Sequence, residues 1–162
     1  MTIRETSLEA IEDFLAQKRI AIVGVSRDPA SLSVSLFKEF SGRGYDVVPI
    51  NPNLAEVQGQ KCFARLQDVQ PAVDAALLMT SPDVTNNVVC DCAESGVRRV
   101  WMYSDGRRGA LSEQALEFCQ AKGIRVIPGQ CPFMFLPNAG GIHRFHGFIR
   151  KITGRFPHRS AA

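Results

Sequence analysis

The sequence has 162 residues, of which 45% are hydrophobic and 22% charged, a composition typical of an ordinary globular protein. Its apolar runs have the length of β-strands and are far shorter than the roughly 18 to 20 residues that cross a bilayer, so no membrane span is predicted. The N-terminal segment carries acidic residues and no apolar signal core, and we expect a cytoplasmic location.

Acidic and basic residues are distributed unevenly along the chain. All 16 acidic residues lie at or before Glu117, whereas the last 45 residues hold seven Lys and Arg residues. This segregation favours a polyanionic partner, which could be nucleic acid, an anionic surface or a phosphorylated cofactor. A solvated basic tail is the alternative.

The first elements in chain order form a βαβ unit. Thr6-x-x-Glu9 resembles a capping box and predicts a short helix that covers the sheet. The stretch from Arg19 to Asn53 then shows the pattern of a buried strand, a tight turn, a helix and a second strand, Asp46 to Ile50. The turn, Gly24-Val25-Ser26-Arg27, lies at a helix N-terminus, and such a turn favours phosphate.

Strands and helices continue to alternate in the rest of the chain. The predicted elements are a third strand from Val73 to Met79, a helix that starts at Ser81-Pro82-Asp83, a fourth strand from Val100 to Tyr103, a helix from Ser112 to Lys122 and a fifth strand from Ile124 to Ile127. This alternation predicts an α/β fold, a Rossmann-like doubly wound parallel five-stranded sheet with helices on both faces. The expected strand order is 3-2-1-4-5, with the switch point beside strand 1.

The predicted boundary lies after residue 130. Residues 1–130 form the nucleotide-binding domain with its N-terminal covering helix, and residues 131–162 form a basic, Phe-rich C-terminal extension. In this extension Ile142, Phe145, Ile149 and Ile152 fit one face of a helix. We expect the extension to pack on the same domain or on the partner in a homodimer.

A ligand of a doubly wound sheet lies beyond the carboxyl ends of its strands. The candidate residues are therefore Gly24, Val25, Ser26 and Arg27 after strand 1, Asn51, Pro52 and Asn53 after strand 2, Thr80, Ser81 and Pro82 after strand 3, and Met102, Tyr103 and Ser104 after strand 4. Arg27 supplies a forked cation suited to a diphosphate. A tight turn that needs glycine for its backbone alone is the alternative.

Two features of these residues argue against an ordinary NAD site. The glycine pattern is only G-x-S and lacks the later glycines of G-x-G-x-x-G. In addition, strand 2 ends in Asn51-Pro52-Asn53, without an acidic residue to hold a ribose hydroxyl. The pattern therefore favours an adenine nucleotide that is recognised in another way.

A set of motifs resembles the small stand-alone CoA-binding proteins, a family similar to the N-terminal CoA-binding domain of the succinyl-CoA synthetase alpha subunit. The motifs are the G-x-S turn within Arg19 to Arg27, VVPINPN at Val47 to Asn53, GQKCF at Gly59 to Phe63, Pro82, and VWMYSDG at Val100 to Gly106. The resemblance covers about residues 10–130. It implies a Rossmann-like fold that binds the nucleotide end of coenzyme A or acyl-CoA.

The resemblance also implies a role for each group of candidate residues. Gly24 to Arg27 would lie at the diphosphate. In the synthetase a lysine after strand 2 helps to hold the nucleotide, whereas Asn53 or Leu54 falls near that place here, so Arg27 is a candidate to bind the 3′-phosphate instead. Asn51 to Asn53 would lie near the adenosine, and Thr80 to Pro82 against adenine or ribose. Met102 to Ser104 would line the pantetheine side. The expected partner is thus a small-molecule CoA ligand, and no nucleic acid is expected.

No catalytic residue or metal site is predicted. His143 and His146 have a helical spacing that suits a metal, but no third ligand accompanies them. Asp105 is the acid best placed for chemistry, and capping of its loop is the favoured interpretation. We therefore favour a non-catalytic or regulatory CoA-binding module. The alternatives are a small NAD(P)-dependent oxidoreductase and a redox module in which Cys131 or Cys62 forms a mixed disulfide with CoA.

Overall fold

A computed structural model describes residues 6–137 of the chain. The helices of this region are α1 (Leu8–Leu15), α2 (Leu32–Gly42), α3 (Pro82–Glu94) and α4 (Glu113–Ala121). The strands are β1 (Arg19–Val23), β2 (Asp46–Ile50), β3 (Glu56–Val57), β4 (Gln60–Lys61), β5 (Ala75–Leu78), β6 (Arg99–Tyr103) and β7 (Arg125–Gln130). Short 3-10 helices span Leu66–Asp68 and Pro132–Met134. Within residues 6–137, no helix has the length and apolar character needed to cross a membrane.

Five parallel strands form the main sheet, in the order β2-β1-β5-β6-β7. The central strand β1 pairs with β2 on one side and with β5 on the other, so that Ile20 lies between Val47 and Ala75. Side chains from α1 and α2 pack on one face of the sheet, and side chains from α3 and α4 pack on the other. The doubly wound, Rossmann-like α/β prediction is confirmed.

The predicted strand order 3-2-1-4-5 is wrong in detail. Counted along the chain, the five strands of the main sheet lie in the order 2-1-3-4-5, with β2 at the edge and β5 between β1 and β6. Pro49 in β2 has no N–H for a second ladder, which restricts that strand to an edge. All four residues of β5 are buried, as a central strand requires. The switch point still lies beside β1.

The hairpin of β3 and β4 is an addition to the predicted elements. These two-residue strands pair antiparallel between β2 and the 3-10 helix Leu66–Asp68. After β4, Phe63 pairs with Ile50 and so extends the sheet at the outer side of β2. The hairpin therefore covers the edge strand that Pro49 leaves incomplete.

A serine is the N-cap residue of each of the helices α1 to α4, and three of these serines make a side-chain capping bond. The hydroxyls of Ser7, Ser31 and Ser112 accept hydrogen bonds from first-turn backbone N–H groups of α1, α2 and α4. The capping-box pattern predicted Thr6 as the N-cap of α1, whereas the N-cap residue is Ser7. The Thr6 hydroxyl instead donates to the carbonyl of Pro128 in β7, which ties the N-terminal helix to the far edge of the sheet.

The start of the C-terminal extension packs against the α1 and α2 face. Leu136 is buried there, and the Phe135 ring lies 5.9 Å from the ring of Trp101. The Arg43 guanidinium at the end of α2 also donates to the carbonyl of Pro137. The predicted helix from Ile142 to Ile152, with His143 and His146, lies outside the described residues.

Candidate functional site

The turn after β1 requires glycine. Gly24 has a φ of +87°, and its N–H donates to the carbonyl of Ile50 over 2.9 Å. A Cβ atom at this position would lie 2.9 Å from the carbonyl oxygen of Met79, which follows β5. The turn thus lies in close contact with the end of β5 at the switch point. At such a point the backbone can closely approach a ligand.

Side chains hold the loop between this turn and α2 in one conformation. Ser33 Oγ accepts the N–H of Ser26 over 2.9 Å, and Ser26 Oγ accepts the N–H of Asp28 over 3.0 Å. Asp28 Oδ1 in turn accepts the N–H of Ala30 over 2.9 Å. Each bond fixes the next residue of the loop, so the loop is ordered before any ligand binds. Ser33 was not among the predicted site residues.

The first turn of α2 presents unpaired donors. Ser31 Oγ accepts the N–H of Val34, but the N–H groups of Leu32 and Ser33 have no acceptor among residues 6–137. The positive end of the helix dipole adds to their attraction for an anion. Arg27 is exposed in the loop that leads to this turn. Backbone donors and a serine hydroxyl therefore lie at one corner, with a guanidinium on the adjoining loop, and this arrangement suits phosphate.

The turn after β2 lies against the turn after β1. The side-chain amide of Asn51 donates to the carbonyl of Val25 over 2.8 Å, and its oxygen accepts the N–H of Asn53 over 2.8 Å. The side chain of Asn51 is therefore occupied in joining the two turns. Pro52 and Asn53 are exposed and leave a polar surface beside the corner.

The turn after β5 lies against the same corner. It contains Thr80, Ser81 and Pro82. A Cβ on Gly24 would lie 3.0 Å from Cγ2 of Thr80, which shows how closely the two turns approach. The hydroxyls of Thr80 and Thr85 are 2.7 Å apart. Ser81 and Pro82 begin α3 and are exposed, and the Ser81 hydroxyl makes no capping bond.

The residues predicted at the end of the fourth strand of the main sheet occupy different environments, and two of them, Met102 and Tyr103, belong to β6 itself. Met102 is 0% exposed in the core of the α3 and α4 face, so this member of the predicted site does not line a ligand surface. Ser104 is also buried, and its hydroxyl accepts the N–H of Gly106. Tyr103 is half-buried. Burial raises the pKa of Tyr103 to about 12, and the nearby Cys131 and Asp105 add to the increase.

Asp105 organises the loop that follows β6. Its Oδ1 accepts the N–H groups of Arg108, over 2.7 Å, and Arg107, over 2.8 Å. These two bonds lower the pKa of Asp105 below its usual value. The loop-capping interpretation of this carboxylate is therefore the one that the geometry supports.

The five cysteines are free thiols. Cys62 is buried beside the predicted site, with its Sγ 3.7 Å from the carbonyl of Asn51, and burial raises the pKa of its thiol. Cys131 is half-buried after β7. Within residues 6–137, no group of His, Cys, Asp and Glu side chains is arranged to hold a metal ion.

Comparison with known proteins gives relatives that match most of this chain. The chain is 28% identical over 128 residues to the alpha subunit of acetate–CoA ligase [ADP-forming] II of Pyrococcus furiosus, a match that covers 75% of this chain and 28% of the relative. It is 27% identical over 114 residues to the uncharacterized protein YneT of Bacillus subtilis, which covers 70% of this chain and 82% of YneT.

The fold of this chain is similar to that of solved structures. A hypothetical protein from Pyrococcus horikoshii OT3 superposes with a TM-score of 0.71 and 25% identity, covering 82% of this chain and 87% of its own. The model of the CoA binding domain family matches residues 18–137, from β1 through the 3-10 helix at the start of the extension. The chain therefore belongs to the family of CoA binding domains.

Proposed function

We propose that this protein binds coenzyme A or acyl-CoA through its nucleotide moiety, and acts as a non-catalytic or regulatory module. The main support is the corner between β1 and α2, where the N–H groups of Leu32 and Ser33, which have no acceptor among residues 6–137, lie next to the loop that carries Ser26 and Arg27. Coenzyme A carries a diphosphate, and a preorganised set of donors at a helix N-terminus is suited to that group.

The rest of the ligand would lie across the carboxyl ends of the strands. The adenosine would contact the exposed Pro52 and Asn53, with Ser81 and Pro82 on the other side of the corner. The pantetheine would run toward Tyr103. Of the three residues predicted at the end of β6, Tyr103 is the one with partly exposed surface, since Met102 and Ser104 are buried.

The same geometry disfavours NAD as the ligand. The turn after β2 offers amide groups, and no carboxylate that could accept hydrogen bonds from a ribose diol. The side chain of Asn51 is already engaged with Val25 and Asn53. The NAD(P)-dependent alternative therefore lacks its usual determinant.

The proposal of a non-catalytic role rests on how small a part of the ligase subunit this chain matches. The chain spans about a quarter of the length of the ligase subunit that it matches, and the named activity belongs to that whole protein. Among residues 6–137, the candidate acid Asp105 is occupied with its own loop. Binding without turnover is therefore the function that these residues support best.

Thermal unfolding with added ligand tests the proposal. A ligand present at 100 times its Kd should stabilise the folded state by about 2.7 kcal/mol. We expect CoA and acetyl-CoA to raise the Tm, and NAD at the same concentration to leave it unchanged. A rise with NAD and none with CoA would contradict the proposal.

A further inference from the structure

Lys61 and Phe63 form a fixed pair at the outer side of β2. The Phe63 N–H donates to the carbonyl of Pro49 over 3.0 Å, and its carbonyl accepts the N–H of Asn51 over 2.9 Å. These bonds pair Phe63 in parallel with Ile50, the last residue of β2. The Phe63 ring is therefore attached to the carboxyl end of the second strand, where the turn of Asn51 to Asn53 begins.

The ammonium of Lys61 lies over this ring. Its Nζ is 4.7 Å from the ring centroid of Phe63, within the range of a cation–π contact. Because Phe63 pairs with Ile50, this contact holds the charge near the end of β2. A flexible, exposed lysine is thus held at the end of the strand.

This positive charge has no carboxylate partner within residues 6–137. Glu56 lies directly opposite Lys61 in the β3 and β4 hairpin, the position from which a cross-strand ion pair forms most readily. No ion pair joins them, because the ammonium contacts the Phe63 ring. Among the described residues, an uncompensated cation therefore lies near the end of β2, and the turn of Asn51 to Asn53 that follows β2 carries no charged residue of its own.

We propose that Lys61 binds the 3′-phosphate on the adenosine of coenzyme A, with Phe63 as the residue that positions its ammonium. This inference rests on the proposed function. In a doubly wound fold, the ribose of a bound nucleotide lies beyond the end of the second strand, so a phosphate on that ribose would lie near Lys61. Arg27 follows β1 instead and belongs to the loop before α2, at the corner proposed for the diphosphate.

The chemistry of the two groups is complementary. A phosphate monoester carries about −1.5 to −2 charges at neutral pH, and a lysine ammonium is a compact point charge with three donors. CoA carries this phosphate, whereas dephospho-CoA lacks only this group. Lys61 would therefore determine the preference between these two ligands and would leave contacts to the diphosphate unchanged.

Calorimetric titration of the full chain with CoA and with dephospho-CoA tests this assignment. Lys122 provides a matched control, because its Nζ also lies over a phenylalanine ring, that of Phe118 at 5.9 Å, at the far end of α4. We expect the unmodified protein and Lys122→Gln to bind CoA about tenfold more tightly than dephospho-CoA, as for one charge-assisted hydrogen bond.

The Lys61 variants separate charge from structure. Lys61→Gln should bind both ligands with the affinity that the unmodified protein has for dephospho-CoA, and Lys61→Arg should retain a preference for CoA. Phe63→Leu should reduce the preference while keeping the affinity for dephospho-CoA, because the ammonium is then no longer held in place. A lost fold would instead reduce both affinities.

The outcomes distinguish this inference from the proposed function. Equal binding of the two ligands by the unmodified protein, or a preference that survives in Lys61→Gln, would overturn the role of Lys61 and leave CoA binding in place. If neither ligand binds to the unmodified protein, the proposed function fails, and this inference fails with it.

Discussion

The Ser33 hydroxyl, in the first turn of α2, accepts a hydrogen bond of 2.9 Å from the backbone N–H of Ser26, seven residues earlier. The same hydroxyl lies 3.1 Å from that of Ser31, the N-cap residue. The first turn of the helix therefore holds the loop that we propose to bind phosphate. Because the loop is held before a ligand arrives, binding does not have to provide the free energy that orders it.

Removal of this hydroxyl should weaken both the loop and the binding of CoA. Ser33→Ala leaves the Ser26 N–H without its partner, and we expect a loss of about 1 kcal/mol in the free energy of unfolding. The affinity for CoA should fall by about threefold to tenfold, because binding must then order the loop. Urea denaturation and calorimetry measure the two effects.

Ser35→Ala is the matched control for this prediction. Ser35 lies on the same helix, is exposed, and donates to the carbonyl of Ser31 over 3.1 Å, so it also makes a local side-chain bond. Its removal should leave CoA binding unchanged. An equal loss of affinity in both variants would mean that helix stability, rather than the Ser26 contact, controls the site.

Arg27→Ala tests the proposed diphosphate contact directly. Loss of a charge-assisted hydrogen bond should weaken CoA binding by about tenfold or more and reduce its dependence on salt. Lys38→Ala, which removes another exposed cation of the α2 region, should bind as the unmodified protein does. If Arg27→Ala binds CoA with unchanged affinity, the loop serves only as a turn.

Gly24→Ala should destabilise the fold more than the same change at Gly44. Both glycines have a φ of +87°, where a residue with a Cβ loses about 1 to 2 kcal/mol. Only at Gly24 would the Cβ approach other atoms, at 2.9 Å from the Met79 carbonyl, whereas Gly44 has open space. We expect the midpoint of urea denaturation to fall further for Gly24→Ala, since close contact adds about 1 to 3 kcal/mol. Equal midpoints would show that the Gly24 turn can shift away from Met79.

The sequence predicts the layers of this fold better than the order of its strands. Apolar runs and helical spacing identify all five strands of the main sheet, because burial determines those patterns. The position of β5 depends instead on which strands can form hydrogen-bonded ladders along both of their edges. Pro49 was the residue that could have indicated the order, since a strand with no N–H at its centre belongs at an edge.

Two features of the site could not be predicted from the pattern of residues along the sequence. Met102 follows the strand-end rule, yet its side chain turns into the core, because β6 is buried on both faces and alternation gives no signal. The bond from Ser26 to Ser33 joins residues across an irregular loop, and no periodicity predicts such a contact. The backbone corner was predictable, whereas the side chains that hold it were not.

The last prediction concerns the alkaline stability of the protein. Burial raises the pKa of Tyr103 to about 12, from an ordinary value of 10.0. The folded state therefore keeps the phenol proton at pH values where the unfolded chain has lost it. The stabilisation is complete below about pH 10 and is lost as the pH rises from there through about 12.

Absorbance at the phenolate wavelength measures this pKa, because the chain contains two tyrosines. In Tyr45→Phe, the remaining tyrosine should titrate near pH 12 in the folded protein and near pH 10 in urea. Tyr103→Phe should show a smaller decrease in the free energy of unfolding over the same pH range. A Tyr103 phenol that titrates at its ordinary value would show that water reaches it freely, and the surface proposed for the pantetheine would then be more open than this structure has it.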